Sequence, residues 1–283
     1  MKVSVEADLL KTLPCVGKIL SMVFMLEIGR VDRFPTAAHL ASYAGLVPRV
    51  HSSGGHTRMG QVCGNVNRNL KWAFVETGNL IVISQRLRLA MQDGGFNMLA
   101  GEIEVDETFI GAKARNMHKA KRAEKIQGRG PDGKEIVFGM VERGGKVVVD
   151  HVETRRKSEL QSLIRERVEA GAAIFSDELL SYDGLDTDYR HAVINHAVEY
   201  VNGNVHTNTM ENFWSLLKRG LHGTYISVEP FHLFRYIDEQ AFRYNNRKMT
   251  DAERFDIGVR QIMGKRLTYA ELTGKSSETE IIN

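Results

Sequence analysis

Three acidic residues fall where their type and spacing suit phosphoryl-transfer chemistry. Asp106 lies in GEIEVDETFIGAK, which alternates like a β-strand, and Asp177 closes the short apolar strand AAIFSD. Glu211 lies in HTNTMENFWSLLKRG, a helix with two distinct faces. Met210, Phe213, Trp214, Leu217 and Leu221 recur at i, i+3, i+4 and i+7 spacing and make the stripe that meets a core. Glu211, Ser215 and Lys218 share a neighbouring polar edge, at about 100° per residue. An acid on a strand, an acid after a strand and an acid on a helix is the layout of a site for two hard divalent cations, Mg²⁺ or Mn²⁺, which prefer oxygen ligands. Two such ions about 4 Å apart activate an attacking hydroxyl and stabilise the leaving oxygen of a phosphodiester. In that arrangement Asp106 bridges the ions, Asp177 and Glu211 each hold one, and Lys218 meets a phosphate near the scissile bond.

Each acid also has a plainer role to weigh. Glu211 stands three residues after Asn208, the spacing of a helix capping box. Asp177 is placed to cap a helix beginning at Glu178, and Glu104 and Glu107 read as ordinary exposed acids. Asp106 resists such a reading, because an unpaired carboxylate inside an apolar strand is costly. The three together favour the catalytic role.

The elements that must position these residues form two parts. Residues 1–84 read as helical: a helix, a tight turn at Pro14 to Gly17 and a second helix, then the loop-rich stretch ASYAGLVPRVHSSGGHTRMGQ, then NVNRNLKWAFVETGNLIVIS as helix again. QRLRLAMQDGGFNML, with its Gly-Gly break, reads as the joint. From residue 87 onward come the strand of Asp106, a hairpin of EIVFGMVERGG and KVVVDHVE turning at Gly144-Gly145, and a helix capped by Ser158 and stopped by Gly171. AAIFSD, an edge strand in HAVINHAVEYV, and further helices follow.

The chain has 283 residues, 42% of them apolar, enough for a real core and against disorder. A net charge of +3 permits nucleic-acid binding without demonstrating it. Cys15 and Cys63 form neither a C-x-x-C pair nor a disulfide framework, so both are expected as thiols in a cytoplasmic protein. The apolar run Ile19 to Ile28 is short and contains Glu27; neither a membrane span nor a signal peptide is read. A basic run between the first two strands includes Lys113, Arg115, Lys119, Lys121, Arg122 and Arg129, with His118, Lys125 and Lys134 among them. Most such runs are solvated loops, but beside a metal site this one reads as a phosphate-tracking arm. His206 and Arg219 flank the helix of Glu211 as further DNA contacts. His191, His196 and His206 lack the i, i+4 spacing of a helical zinc pair.

The order β-β-β-α-β, then a strand and helices, matches a ribonuclease-H-like fold, in which these three acidic positions converge at one sheet edge. From about residue 87 to the end, the chain resembles the catalytic domain of ISXO2-like, Merlin-related insertion-sequence transposases. The resemblance rests on RLRLAMQDG, EVDETFIGAKARNMH, GRGPDGK, VFGMVERGG, FSDELLSY, VINHAVEYV, HTNTMENFWSLLKRGLHGTY and FRYNNR. It implies a DDE-type enzyme that uses Mg²⁺ to cleave and join DNA strands in a prokaryotic cell, as a homo-oligomer on element ends and target. The family's acids fall on Asp106 and Asp177, and its third cluster on Asn208, Glu211 and Lys218; either Asn208 or Glu211 completes the metal site.

At its front the chain departs from that family, which usually begins with a zinc ribbon. TLPCVG, LEIGRVDRFPTAAHLASYAGLVPR, SSGG and GNVNRNL resemble instead the C-terminal domain of Piv-like, IS110-type transposases. That resemblance implies a small all-α, helix-hairpin-helix-like domain, maps a serine nucleophile onto Ser53, and places Cys15 where a glycine is usual. The expected protein is a DDE transposase with a grafted front. The alternative is a catalytically idle DNA-binding remnant of two transposases.

Overall fold

The computed structural model describes residues 5–13, 15–53, 55–62, 66–92, 98–111, 119, 123, 133–194, 206–223, 225, 228 and 230–274. The chain divides into two compact units, Met1–Arg86 and Leu87–Asn283.

In the first unit, helices α1 (Val5–Leu10), α2 (Lys18–Ile28) and α3 (Ala37–Tyr43) precede a two-stranded antiparallel hairpin, β1 (Pro48–Ser53) and β2 (His56–Val62). Helix α4 (Arg68–Ala90) follows. Val16, Leu20 and Phe24 pack against Ala44, Leu70 and Ala73, and the rings of Phe24 and Phe74 meet edge-on at 4.8 Å. The Glu27 carboxylate accepts hydrogen bonds from Asn67 and Asn69, each at 2.6 Å, and so ties α2 to the start of α4. Cys15, in the turn before α2, has φ +65°, the one positive φ outside glycine among the described residues. That backbone costs a residue with a Cβ about 1–2 kcal/mol, which accounts for glycine being usual there.

The front is helical, as its sequence indicates, with the hairpin as an addition. Ser52-Ser53 and Gly54-Gly55 read as loop, but Gly55, at φ +77°, turns one strand into the other. The joint also differs. QRLRLA is the last part of α4 rather than a linker, because its apolar residues continue the helix; Gly94 and Gly95 lie outside the described residues.

The second unit is built on a five-stranded mixed sheet. Its strands are β3 (Glu102–Ile110), β4 (Glu135–Glu142), β5 (Val147–Val152), β6 (Ala173–Ser176) and β7 (Arg190–Val193). They run in the order β5-β4-β3-β6-β7, antiparallel from β3 to β5 and parallel from β3 through β6 to β7. This is the ribonuclease-H-like topology. Helix α5 (Lys157–Arg167) lies between β5 and β6; α6 (Asn208–Gly223), α7 (Leu233–Asn245), α8 (Asp251–Gln261) and α9 (Tyr269–Thr273) come after β7.

Strand alternation sorts β3 and β4 onto two cores. Ile103, Val105, Phe138 and Met140 pack with Leu160 and Ile164 of α5. Val137 and Val141 pack with Met210, Phe213, Trp214 and Leu217 of α6 and with Ile237 of α7. The apolar stripe of α6 is therefore buried as its spacing requires. Ser158 does not cap α5. Its cap residue is Arg156, without a side-chain bond, while the Glu159 carboxylate takes the backbone N–H groups of Glu153 and Thr154, each at 3.0 Å. Gly144, at φ +74°, makes the β4–β5 turn where expected.

Candidate active site

The sequence of β3 reads Glu-Val-Asp-Glu across residues 104–107, and alternation sends Glu104 and Asp106 to the α6 side and Glu107 to the α5 side. Asp106 stands opposite Gly139 of β4. Its Oδ2 accepts a hydrogen bond from Trp214 Nε1 at 2.9 Å, and its Oδ1 accepts the backbone N–H of Glu107 at 2.8 Å. Burial raises the Asp106 pKa, the charges of Glu107 and Asp177 raise it further, and the indole bond opposes them; the result is about 7.

Glu107 is also held above its usual range, first by burial and then by Asp177, against hydrogen bonds from Tyr182 and Arg155. The Tyr182 hydroxyl donates to it at 2.8 Å and Arg155 pairs with it at 3.2 Å. Tyr182 in turn is kept protonated by burial and by the same acids. Asp177 follows β6 and accepts the backbone N–H of Leu179 at 3.1 Å, just before a single 3₁₀ turn, Leu180–Tyr182, that stands in place of the helix its sequence suggests. That turn is capped by Leu179 without a side-chain bond, so Asp177 is no helix cap, and its charge reaches Asp106, Glu107 and Tyr182.

Glu104 is the main surprise. It is fully buried rather than exposed. Its carboxylate accepts the backbone N–H groups of Thr209 at 2.8 Å and Met210 at 3.0 Å, together with the Thr209 hydroxyl at 2.9 Å. Arg143 pairs with it at 2.8 Å and His206 Nδ1 lies 3.2 Å away. A carboxylate at the positive end of a helix satisfies N–H groups that otherwise lack partners. Glu104 thus caps α6 from the neighbouring strand, and the Asn208–Glu211 capping box does not form this end; the Glu211 N–H bonds the Thr207 carbonyl. His206 is committed to this cluster, its carbonyl taking an Arg143 N–H at 2.8 Å.

Glu211 and Asn208 are exposed on the first turn of α6, and Lys218 is half-buried. Glu211 stands one turn before Trp214 and Lys218 one turn after it, so both flank the residue that touches Asp106. Among the described residues, no three His, Cys, Asp or Glu side chains are arranged to hold a metal ion. Asp106, Glu107 and Asp177 are brought into one electrostatic cluster, and Glu211 does not complete such a group with them. Lys119 and Arg219 are exposed. Lys113, Arg115, Lys121, Arg122 and Arg129 lie outside the described residues, as does His196; His191 bonds the Ser176 hydroxyl at 2.8 Å. Ser53 is exposed at the end of β1, opposite His56.

Sequence reasoning missed Trp214 as a polar partner, because its apolar spacing accounts for it fully. It missed Glu104 as an anchor, although a place two residues before Asp106 puts both acids on one face.

An ISXO2-like transposase domain model matches residues 98–245, more than half of the chain. The chain belongs to the ISXO2-like transposase domain family. The matched span runs from just before β3 to the end of α7 and contains Asp106, Asp177 and Glu211. Residues 7–92 match a second model, the transposase IS116/IS110/IS902 family. An uncharacterized protein in transposable element ISH50 of Halobacterium salinarum is 32% identical over 133 residues, 44% of this chain and 45% of its own length. A pilin gene-inverting protein of Moraxella bovis is 50% identical over 49 residues, 17% of this chain and 15% of its own length. The chain thus spans less than half of either relative. A solved HTLV-2 integrase catalytic core domain, in complex with magnesium, is 12% identical with a TM-score of 0.34, over 58% of this chain and 99% of that one. No described helix is long and apolar enough to cross a membrane.

Proposed function

We propose that this transposase cleaves and joins DNA strands of an insertion sequence by DDE-type, divalent-metal-dependent chemistry. The observation that carries the reading is the setting of Asp106, grouped with Glu107 and Asp177 and held by the Trp214 indole. Its hydrogen bonds come from an indole N–H and a backbone N–H, neither of which neutralises it, and burial, followed by the charges of Glu107 and Asp177, raises its pKa to about 7. A half-buried cluster of carboxyl groups that resist ionising together suits a hard cation, which favours their charged forms.

Asp106 and Asp177 would hold Mg²⁺ or Mn²⁺, with Glu211 or Asn208 completing the set. When bound, such ions activate the attacking oxygen and neutralise charge on the phosphodiester. The protein's own residues do the positioning. Trp214 fixes one carboxylate oxygen of Asp106, Glu104 and Arg143 fix the start of α6, and Lys218 would meet a phosphate. Lys113, Arg115, Lys119, Lys121, Arg122, Arg129 and Arg219 supply basic charge along the DNA path, on element ends and target alike, with the protein acting as a homo-oligomer in the cytoplasm of a prokaryotic cell.

A strand-transfer assay with Mg²⁺ and DNA bearing the flanking inverted repeats tests this. Asp106→Asn and Asp177→Asn should abolish cleavage while keeping DNA affinity. Cleavage surviving in both variants sinks the assignment. A second reading, an idle DNA-binding fusion, draws on the front matching a different transposase family; it predicts binding without cleavage by the unaltered chain.

A further inference from the structure

The front unit holds an element that the metal-site chemistry does not use. The β1–β2 ribbon pairs His51 with Arg58 and Ser53 with His56. Alternation places these four side chains on one face and Val50 and Met59 on the other. The second face does not pack into the core: Val50 is 53% exposed and Met59 71% exposed. A two-stranded ribbon without a covering layer is marginal alone in water, so one whose faces are both exposed among the described residues is suited to meeting a partner.

Charge indicates which partner. No Asp or Glu occurs between Asp32 and Glu76, while Arg33, Arg49, Arg58, Arg68 and Lys71 do. Shape narrows it further. A two-stranded ribbon fits the major groove of B-form DNA, about 12 Å wide, whereas the A-form RNA major groove is too narrow to admit side chains.

We propose that the β1–β2 ribbon is a groove-entering arm for B-form DNA. Arg58 and Arg49 meet phosphates at the groove walls, and the His51–His56 face turns toward base edges. Gly60 serves this face: a Cβ there would come within 3.1 Å of the His51 ring, so glycine leaves that imidazole room beside Arg58.

The test is fluorescence anisotropy of the full chain on a short random-sequence DNA duplex and on the RNA duplex of the same sequence. EDTA is present throughout, so the readout is independent of the metal site and of whether the cleavage reading holds. For Arg49→Ala with Arg58→Ala, the slope of log affinity against log salt should flatten by about 1.8, at about 0.9 per phosphate contact. Binding to the RNA duplex should be weaker and unaffected by the substitutions. Arg58→Glu alone serves as a second variant, with circular dichroism confirming its fold, and should weaken DNA binding further than Arg58→Ala. An unchanged salt slope in both variants overturns the proposal. So does an RNA duplex that loses affinity as the DNA duplex does, which would assign the arm to structured RNA.

Discussion

The Trp214 indole occupies the space over Gly139, the residue paired across the sheet with Asp106: a Cβ at that glycine would lie 2.7 Å from an indole carbon. The absence of a side chain on β4 is what lets the indole reach across to the Asp106 carboxylate. Gly139→Ala should therefore displace Trp214 and break its bond to Asp106, at a cost of about 1–3 kcal/mol from overpacking. Indole fluorescence should shift and strand cleavage should fall. A variant with unaltered fluorescence and stability would show that α6 yields without disturbing the site.

Glu104 carries a second expectation. Glu104→Gln retains the shape but removes the charge facing two helix N–H groups and Arg143. Breaking a buried pair on one side costs about 3–5 kcal/mol. Urea unfolding should show a loss of that order. A change below about 1 kcal/mol, within the range of surface pairs, would mean that the cluster is open to water.

Asp238 of α7 sets a pH dependence far from the acids of the site. Burial raises its pKa to about 6, with Asp150 adding to the effect and the Gln92 hydrogen bond at 2.8 Å opposing it. A carboxyl that holds its proton more tightly when folded favours the fold below its unfolded pKa. That contribution is lost as pH rises from about 4 through about 6, by on the order of 2–3 kcal/mol at most. Asp238→Asn should match the unaltered protein near pH 4 and exceed it in stability near pH 8, as read from urea midpoints at both pH values. Equal midpoints near pH 8 would show that Asp238 is not buried as described.

A pair of truncations tests what the second unit needs. Arg88 and Glu239 form an ion pair at 2.8 Å with both side chains under a tenth exposed, and Lys265 bonds the carbonyls of Leu89 and Gln92. Residues 87–283 should fold alone. A chain beginning at residue 98 should be less stable, because Glu239 loses Arg88 and keeps Arg243 and Tyr225 as its partners. Matching melting curves for the two truncations would refute this.

Much of the fold was legible because its signals are local. The period of two in β3 to β5 and the heptad-like stripe of α6 each need only their own segment to be read, and both are where they were expected. The hairpin at Pro48 to Val62 was not legible, because its pairing depends on backbone geometry that serines and glycines do not announce. Within the site, Asp106 stood out as an acid in an apolar strand. Glu104 and Glu107 sit in the same strand, yet their burial is decided by partners far away in sequence: Thr209 and Met210 for one, Tyr182 and Arg155 for the other. No local pattern reports a neighbour a hundred residues on.

Acids at 104, 106 and 107 also make this strand intolerant of slippage. Moving β3 by one residue against β4 would bring Glu107 to the α6 side in place of Asp106, so a carboxylate would still be presented there. The same slip would turn Glu104 into the α5 core, leaving Thr209, Met210 and Arg143 without their acceptor. A misaligned sheet would therefore still place a carboxylate at the position of Asp106 and yet fail at Glu104. Glu104 acts as a proofreading bond: only the correct alignment of the strand satisfies its contacts with Thr209, Met210 and Arg143 and presents Asp106 to Trp214 at the same time.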